Sequence, residues 1–139
     1  MIQLIDAVPL RAYEWAGYRL TQHAQYVAAN NADRLTTYGS FDAEDNELTG
    51  WVHVLDESDA VRIDTLAVRD ESRGRGFAGD LLDAAIDHAK QRNVTVVRCH
   101  AVNALMWTKL TNRGFTAINL TNEYTLFLSD RRPKRQRRA

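Results

Sequence analysis

Three neighbouring segments between Arg34 and Val68, each alternating apolar with polar residues, restrict the fold more than any other feature of the sequence. Alternation with a period of two predicts β-strands that bury one face. The polar stretches Ala43–Glu47 and Asp56–Asp59 separate the three segments and are typical of short turns. Consecutive strands joined by short turns form an antiparallel meander, so we expect a sheet at the centre of the molecule.

The segments on either side of this meander predict further strands and helices. The short apolar segment from Ile2 to Val8 predicts a first strand, and apolar residues spaced three and four apart from Leu10 to Val27 predict a helix that Gly17 can divide in two. After the meander we expect a helix from the polar loop 69–76 to near Asn93, a strand over 94–97, a short helix over 104–113, and a hairpin of 115–118 with 124–128. The order βα, βββ, αβα, ββ predicts a mixed α/β (α+β) fold.

Length and charge suggest one domain followed by a basic tail. The 139 residues are 45% hydrophobic and 26% charged, which suits a single globular core, and we place the domain at 1–129 and the tail at 130–139. Six basic residues lie between Arg131 and Arg138, which leaves 12 basic against 18 acidic residues in the body. The body should therefore not bind nucleic acid nonspecifically. The tail could contact RNA or another polyanion, or act only as a solubilising end.

Cysteine use and hydropathy favour a cytoplasmic location. The single cysteine, Cys99, excludes an internal disulfide and a zinc site built from several thiolates, and it fits a reducing compartment. No apolar run approaches the length of a membrane span, and the start of the chain lacks the basic region of a signal peptide. No pair of histidines has metal-ligand spacing, so no metal site is predicted.

Gly74, Gly76 and Gly79 match the spacing GxGxxG, which also occurs in dinucleotide-binding folds. That fold needs an acidic residue about 20 positions further on to hold the ribose. The chain has no Asp or Glu between Asp87 and Glu123, and no Gly-Lys-Ser/Thr follows the glycines. Both a dinucleotide fold and a Walker loop are therefore excluded.

The same loop, placed between a strand and a helix, predicts an anion-binding site. Backbone N–H groups at a helix N-terminus point at an incoming anion, and glycine lets a phosphate approach the main chain closely. Arg73 and Arg75 would add positive charge, although loop arginines are often only solvated surface. A pyrophosphate group suits this arrangement.

At this point the sequence resembles the GNAT superfamily (GCN5-related) of N-acetyltransferases. Their acetyl-CoA motif, Arg/Gln-x-x-Gly-x-Gly/Ala, matches Arg73–Ala78, and the preceding Ile63–Val68 looks like the strand that leads into it. A second signature is an Asn eleven residues before Gly-Phe, which Asn103 and Gly114–Phe115 match. The close resemblance covers Val61 to Phe115, and the order of elements extends it over nearly the whole chain.

The resemblance implies a fold and a cofactor site. The fold would be a mixed, mostly antiparallel sheet of six or seven strands flanked by helices, with the fourth and fifth strands parallel and splayed apart. Acetyl-CoA would be the co-substrate, with its pyrophosphate on the loop amides and its pantetheine arm against the fourth strand and Asn103. The implied cofactor-binding residues are Leu66, Ala67, Val68, Arg73, Gly74, Arg75, Gly76, Phe77, Ala78, Gly79 and Asn103.

The resemblance also implies the reaction, in which a neutral amine attacks the acetyl thioester directly and a backbone N–H of the fourth strand holds the oxyanion. Asp64 is the leading candidate for the base, because some family members place a carboxylate at this position and use it directly or through water. Asp64 could instead be a structural strand residue paired with Arg62 or with a neighbouring strand. His53 and His100 are alternative bases, each of which could also be a hydrogen-bonded structural histidine.

One position departs from the family pattern. Many members carry a tyrosine four residues before the glycine of Gly-Phe, and here that residue is Leu110, which cannot donate a proton to the leaving thiolate. Tyr124 could donate it from the last hairpin, water could donate it, or the thiolate could leave unassisted. Tyr124 could instead be a structural aromatic. This departure motivates an alternative function: a catalytically silent acyl-CoA-binding protein that acts as an interaction or inhibitory partner.

The identity of the acceptor amine stays open. Aromatic and imidazole side chains of the first helical region and the meander could line an acceptor cleft, or could simply pack under a loop. An acidic body slightly favours cationic amines, without distinguishing a small molecule from a protein amine. Homodimers are frequent in the family, so a homodimer is also an open expectation. The candidate acceptor-binding residues are Trp15, Tyr18, Tyr38, Trp51 and His53.

Overall fold

A computed structural model of the chain describes residues 1–101, 104–118 and 122–128. Asn103 and the basic tail, both named above for binding, lie outside the described residues. Among the described residues, no helix combines the length and the apolar character that crossing a bilayer requires.

Within the described part of the chain, seven strands form one mixed sheet in the order β1-β2-β3-β4-β5-β7-β6. Every neighbouring pair is antiparallel except β4 with β5, which is parallel. The expected fold class is therefore confirmed. The strands are β1 (Ile2–Ile5), β2 (Leu35–Phe41), β3 (Leu48–Asp56), β4 (Ala60–Val68), β5 (Val96–His100), β6 (Thr116–Ala117) and β7 (Glu123–Phe127).

Helices flank the sheet on both faces. Gly17, at φ 84°, divides the first helical region, because that backbone conformation is strained for other residues. A 3-10 turn over Glu14–Ala16 precedes the glycine. The helices are α1 (Leu10–Tyr13), α2 (Tyr18–Asn30), α3 (Phe77–Gln91) and α4 (Ala104–Asn112).

The sheet separates two hydrophobic clusters. The larger one packs β3, β4 and β5 against α3, and its fully buried members include Val52, Val54, Leu81 and Leu82. The smaller one lies under α1 and α2 and contains Tyr13, Ala24, Trp51 and Ala67. Each face of β4 is thus covered by helices.

A β-bulge interrupts β4 at Asp64. His53 pairs with Thr65 and Val54 pairs with Ile63, so Asp64 is the extra residue and has no partner on β3. The bulge exchanges the faces of the strand: Ile63 packs in the α3 cluster, whereas Ala67 packs in the cluster under α1 and α2. Bulges bend strands and often lie next to functional sites, where they redirect a side chain.

The parallel pairing of β4 with β5 ends at this bulge. It runs from Ala60 with Val96 to Ile63 with Cys99, although β4 continues to Val68. Beyond Ile63, β4 keeps its pairing with β3, and β5 keeps its pairing with β7. The two strands therefore part, and a gap opens in the middle of the sheet.

Candidate functional site

The first of two adjacent cavities lies at the N-terminus of α3 and has a volume of about 490 Å³. We call it the loop cavity. The end of β4 forms one wall with Leu66, Ala67 and Val68. The loop and the first turn of α3 form the floor with Ser72, Arg73, Gly74, Gly76, Phe77 and Ala78.

Two glycines keep the floor of the loop cavity open. Gly74 has φ 79° and Gly76 has φ 88°, so both adopt the left-handed conformation that glycine tolerates best. A Cβ added at either position would meet no atom of the described residues within 4 Å, so these residues leave space beside both glycines for a ligand. Gly76 is the N-cap of α3, whose first N–H groups lack acceptors within the helix. These amides can bind an anion.

The structure separates the two loop arginines. Arg73 lines the loop cavity, and its guanidinium is 3.1 Å from a carboxylate oxygen of Asp70 on the exposed surface. Arg75 does not line the cavity: it pairs with Asp42 at 2.8 Å and lies over the ring of Phe77. A hydrogen bond from the Glu44 N–H, together with Arg75, lowers the pKa of Asp42, so this ion pair fastens the loop to the end of β2.

Gly79 is buried and lies outside the lining of the loop cavity. A Cβ at Gly79 would come within 2.7 Å of the guanidinium of Arg113, which is held by Asp83 at 2.7 Å. This glycine therefore permits close packing between α3 and the turn after α4. Its backbone N–H lies in the first turn of α3, where N–H groups lack acceptors within the helix.

The opposite wall of the loop cavity was not predicted from the sequence. Leu105, Met106 and Lys109 of α4 contribute to it, as do Ala16 and Leu20 near the start of α2. Their spacing on α4 is helical, but it carries no sign of which face turns towards β4. Trp15, expected to bind the acceptor, also lines this cavity.

The second cavity, of about 420 Å³, lies where β4 and β5 part, and we call it the splay cavity. Asp64, Thr65 and Leu66 line it from β4, and Cys99 and His100 line it from β5. Leu20, Leu66 and Met106 line both cavities, which therefore adjoin. A ligand lying along the loop cavity would reach the splay cavity at Leu66.

His23 is the partner of Asp64, a pairing that the sequence analysis missed. Nε2 of His23 is 3.2 Å from Oδ1 and 3.1 Å from Oδ2 of Asp64. The Asp64 side chain is only 8% exposed, whereas the His23 side chain is 51% exposed. The helical stripe that contains Leu20, Ala24 and Val27 could have indicated that His23 borders the buried face of α2.

Arg62 also lines the splay cavity, but it is engaged elsewhere. Its guanidinium is 2.9 Å from Glu123 and 3.6 Å from Glu57, and it forms no described contact with Asp64. The expected alternative, a structural pair of Asp64 with Arg62, is replaced by the pair with His23. His100, the other alternative base, is exposed and lines the same cavity.

Cys99 contributes a thiol to the splay cavity without a reactive thiolate. Burial raises the pKa of this thiol to about 12. The thiolate is the nucleophilic form of cysteine, so Cys99 is unsuited to carry an acyl group at neutral pH. Among the residues that the structure describes, no group of three or more His, Cys, Asp or Glu side chains could hold a metal ion.

Two residues expected to bind the acceptor are core residues instead. Trp51 is 0% exposed, and its indole N–H donates a 2.8 Å hydrogen bond to the carbonyl oxygen of Ala12. His53 is 1% exposed and packs against Trp51 and Tyr13 with ring centroids 4.8 and 5.9 Å away. Desolvation lowers the pKa of His53 to about 4. The helices over β3 cover both side chains, and neither lines the loop cavity or the splay cavity.

The three tyrosines that the sequence analysis named as acceptor-binding or catalytic residues line neither the loop cavity nor the splay cavity. The hydroxyl of Tyr38 lies 2.8 Å from Nδ1 of His88 on α3, which puts it on the opposite face of the sheet from α2. Tyr18 is 82% exposed and lines neither cavity. Tyr124 is 6% exposed in the α3 cluster together with the fully buried Leu110. Tyr124 is therefore a structural aromatic, and the expectation that it protonates the leaving group is not supported by its position.

Comparison with known proteins agrees with this geometry. The model of the acetyltransferase (GNAT) family matches residues 4–115. No curated protein is similar enough in sequence to count as a match.

Several solved structures share the fold at low sequence identity. An IAA acetyltransferase from Bacillus cereus superposes with a TM-score of 0.75 at 15% identity, covering 92% of this chain and 99% of that chain. A Bacillus subtilis acetyltransferase in complex with CoA has a TM-score of 0.73 at 16% identity, covering 92% and 98%. The ribosomal-protein-S18-alanine N-acetyltransferase from Escherichia coli has a TM-score of 0.74 at 14% identity, covering 100% and 99%.

Proposed function

The chain belongs to the GNAT family of acetyltransferases, whose general activity is acetyl transfer from acetyl-CoA, and on that premise we propose that it transfers the acetyl group to a primary amine by direct attack in a ternary complex. The loop cavity would hold acetyl-CoA and the splay cavity would hold the amine. The observation that carries the proposal is that the two cavities meet at Leu66, where β4 leaves β5.

The loop cavity fits the phosphate end of acetyl-CoA. The amides at the start of α3 would bind the pyrophosphate, and the open space beside Gly74 and Gly76 would admit it. Arg73 and Lys109, both lining this cavity, supply positive charge at its edge. Arg75 would act indirectly by holding the loop against Asp42.

The end of β4 fits the pantetheine arm. Leu66, Ala67 and Val68 line the loop cavity and have no described partner on β5. The carbonyl oxygen of Val68 accepts a 3.4 Å hydrogen bond from Arg73, so the amides of the arm would bind outward backbone groups of Leu66 and Ala67. A ligand that adds itself to such an unpaired edge gains main-chain hydrogen bonds. A backbone N–H of the same segment would bind the oxyanion that forms on the thioester carbonyl.

The splay cavity fits the acceptor amine. Asp64 is the one carboxylate among the described residues that line it, and it would attract an ammonium group. Removal of the proton from the amine would depend on Asp64, which acts either directly or through a group that it holds. Placing two reactants side by side in adjoining cavities can lower the barrier by about 7 to 11 kcal/mol.

The leaving thiolate would be protonated by water rather than by a tyrosine. Leu110 occupies the position of the family tyrosine, and both Leu110 and Tyr124 are buried in the core. The thiol of cysteine, an alkyl thiol like that of CoA, has an ordinary pKa of about 8.5, so such a thiolate can leave near neutral pH without a dedicated acid.

The test is a search for the product. Purified protein, acetyl-CoA and fractionated cell extract are incubated together, and mass spectrometry identifies molecules that gain an acetyl group while released CoA thiol is measured. We expect an acetylated primary amine whose formation needs the protein. Acetylation of hydroxyl groups alone would contradict the proposal.

A second candidate function rests on Leu110, which has no proton to donate to the leaving group, and on the burial of Tyr124 in the core. In that case the chain would bind acyl-CoA without turnover and act as a partner of another protein. Saturable binding of acetyl-CoA with no thiol release in any fraction would favour this candidate over the enzyme.

A further inference from the structure

His23 and Asp64 form a pair in the lining of the splay cavity. The geometry of this pair indicates a different function for each residue. A carboxylate only accepts hydrogen bonds, so the ring nitrogen that contacts Asp64, Nε2, must carry a hydrogen. In the neutral imidazole this leaves Nδ1 as the nitrogen with a free lone pair. Asp64 therefore selects the tautomer of His23.

The carboxylate itself is poorly placed to receive a proton from a substrate. Both of its oxygens lie within 3.2 Å of Nε2 of His23, and the hydroxyl of Thr65 is 3.2 Å from Oδ2. An ammonium group that approached Asp64 directly would have to compete with the imidazole for these oxygens. His23, in contrast, is half exposed and lines the same cavity.

We propose that His23 is the catalytic base that takes the proton from the acceptor ammonium, and that Asp64 is a positioning residue that orients the imidazole and stabilises its charged form. This inference rests on the proposed function and names the residue that performs one step of it. Because Asp64 is the bulged residue and has no partner on β3, its carboxylate can face α2.

The proton balance of the step is simple. The ammonium gives one proton to Nδ1 of His23, which passes it to water. The neutral amine then forms the new C–N bond to the acetyl carbon as the C–S bond breaks, and a second proton from the nitrogen reaches the leaving sulfur through water. The products are the amide, the CoA thiol and one proton in solution.

Several charged or titratable groups surround the pair. Arg62 of β4 and Cys99 and His100 of β5 line the splay cavity with it. The charge of His23 also acts on the buried His53 of β3. Arg62 is held by Glu57 and Glu123, and the Cys99 thiol stays protonated, so Asp64 is the group in direct contact with His23.

The experiment compares two small probe amines with saturating acetyl-CoA. Methylamine is protonated at neutral pH and needs a base, whereas hydroxylamine is neutral and does not. We measure kcat/KM for both probes in the wild type, His23→Gln, Asp64→Asn and the double variant. Gln25→Ala, an exposed change on α2, is the control for damage to the helix, and acetyl-CoA affinity is measured for every protein.

For His23→Gln we expect kcat/KM for methylamine to fall about 10²- to 10⁴-fold, the usual contribution of a general base, while kcat/KM for hydroxylamine changes far less. In Asp64→Asn, kcat/KM for methylamine should also fall. In the double variant it should fall no further than in His23→Gln, because the two residues act as a unit. Acetyl-CoA affinity should be the same in all five proteins.

Other outcomes overturn the inference. If His23→Gln keeps its methylamine activity while Asp64→Asn loses it, Asp64 is the base by itself. Equal losses with both probes would show a structural function for His23. A wild type that binds acetyl-CoA but acetylates neither probe refutes the catalytic assignment and leaves the cofactor site standing, whereas a wild type that binds no acetyl-CoA refutes the proposed function itself.

Discussion

At the scale of single residues, Asp64 has no partner on β3, because His53 pairs with Thr65 and Val54 pairs with Ile63. A strand residue without a partner is free to present its side chain in a direction that regular pairing forbids. Here that direction is α2, where Nε2 of His23 lies 3.1 Å from Oδ2 of Asp64. The same extra residue ends the pairing of β4 with β5, so the bulge accounts for both the gap and the group that faces it.

Gly76→Glu should abolish acetyl-CoA binding, since the added side chain and negative charge would occupy the space where the pyrophosphate is expected. The matched control is Gly114→Glu, which adds the same charge at φ 90° and lies outside the lining of both cavities. Isothermal titration with acetyl-CoA measures both variants. Retained affinity in Gly76→Glu would place the pyrophosphate elsewhere.

His53 should make the protein less stable in mild acid. Its pKa is lowered to about 4 in the folded state, against about 6.5 when unfolded, so the unfolded chain binds more protons between these values. Stability is therefore full above pH 6.5 and falls as the pH drops towards 4, by about 2 kcal/mol at pH 5. Urea unfolding at pH 7.5 and pH 5 measures this loss.

His53→Leu serves as the control for that loss, because leucine cannot take up a proton. Other groups, among them Asp42, also lose stabilising charge in acid, so the informative quantity is the difference between the two proteins. The variant should lose about 2 kcal/mol less than the wild type over the same pH range. An identical loss in both proteins would mean that His53 titrates normally.

At the scale of secondary-structure elements, the close approach of β3 to β4 depends on Gly50. A Cβ at this position would lie 2.9 Å from the carbonyl oxygen of Ala67 and 3.1 Å from Leu81 of α3. Ala67 also lines the loop cavity, so the spacing of these strands bears on the shape of the site. A side chain at position 50 could be accommodated only by moving the backbone.

Gly50→Ala should therefore lower the free energy of unfolding by about 1 to 3 kcal/mol, as overpacking of a core usually does. Gly39→Ala on β2 is the comparison, because its nearest neighbour, 2.8 Å away, is the flexible end of the Leu48 side chain. Gly39→Ala should lower the free energy of unfolding by less than Gly50→Ala does. Denaturant unfolding of both variants tests the order, and a larger loss for Gly39→Ala would contradict it.

At the scale of the whole molecule, both cavities are built from elements far apart in the chain. The loop cavity joins the first helical region, β4, the start of α3 and α4, so a ligand bound there ties together segments from Trp15 to Lys109. Such a ligand binds only the folded protein and must stabilise it by mass action.

Acetyl-CoA at a hundredfold excess over its dissociation constant should stabilise the chain by about 2.7 kcal/mol, seen as a rise in the melting temperature. The rise should grow with ligand concentration, and Gly76→Glu should abolish it. A melting curve that millimolar acetyl-CoA leaves unmoved would count heavily against the cofactor site.

Local features of the chain were readable from the sequence. The alternation of apolar and polar residues from Arg34 to Val68 predicted the three strands of the meander. The parallel pairing of β4 with β5, now confirmed, was implied by the family that the glycine loop and Gly114–Phe115 resemble. Gly17 was read as a break because its conformational freedom is a property of one residue. The loop before α3 was readable for the same reason: its chemistry lies in consecutive backbone amides.

The burial of individual side chains could not be predicted from the sequence. Trp51 and His53 alternate along β3 just as cleft-lining residues would, and the sequence does not say that α1 and α2 cover them. Tyr38 faces α3 because of the sheet's orientation between its two helical layers. Period two shows which residues share a face, but not which helices pack on that face.

The chain alone thus determined the order of strands and helices, the glycine loop and the presence of a carboxylate on β4, since these depend on neighbours within a few residues. Tertiary structure decided that His23 contacts Asp64, 41 residues away, and that Leu66 joins two cavities. The physical reason is the bulge: one extra residue reverses the faces of β4, and its position emerges only from the pairing of β4 with β3.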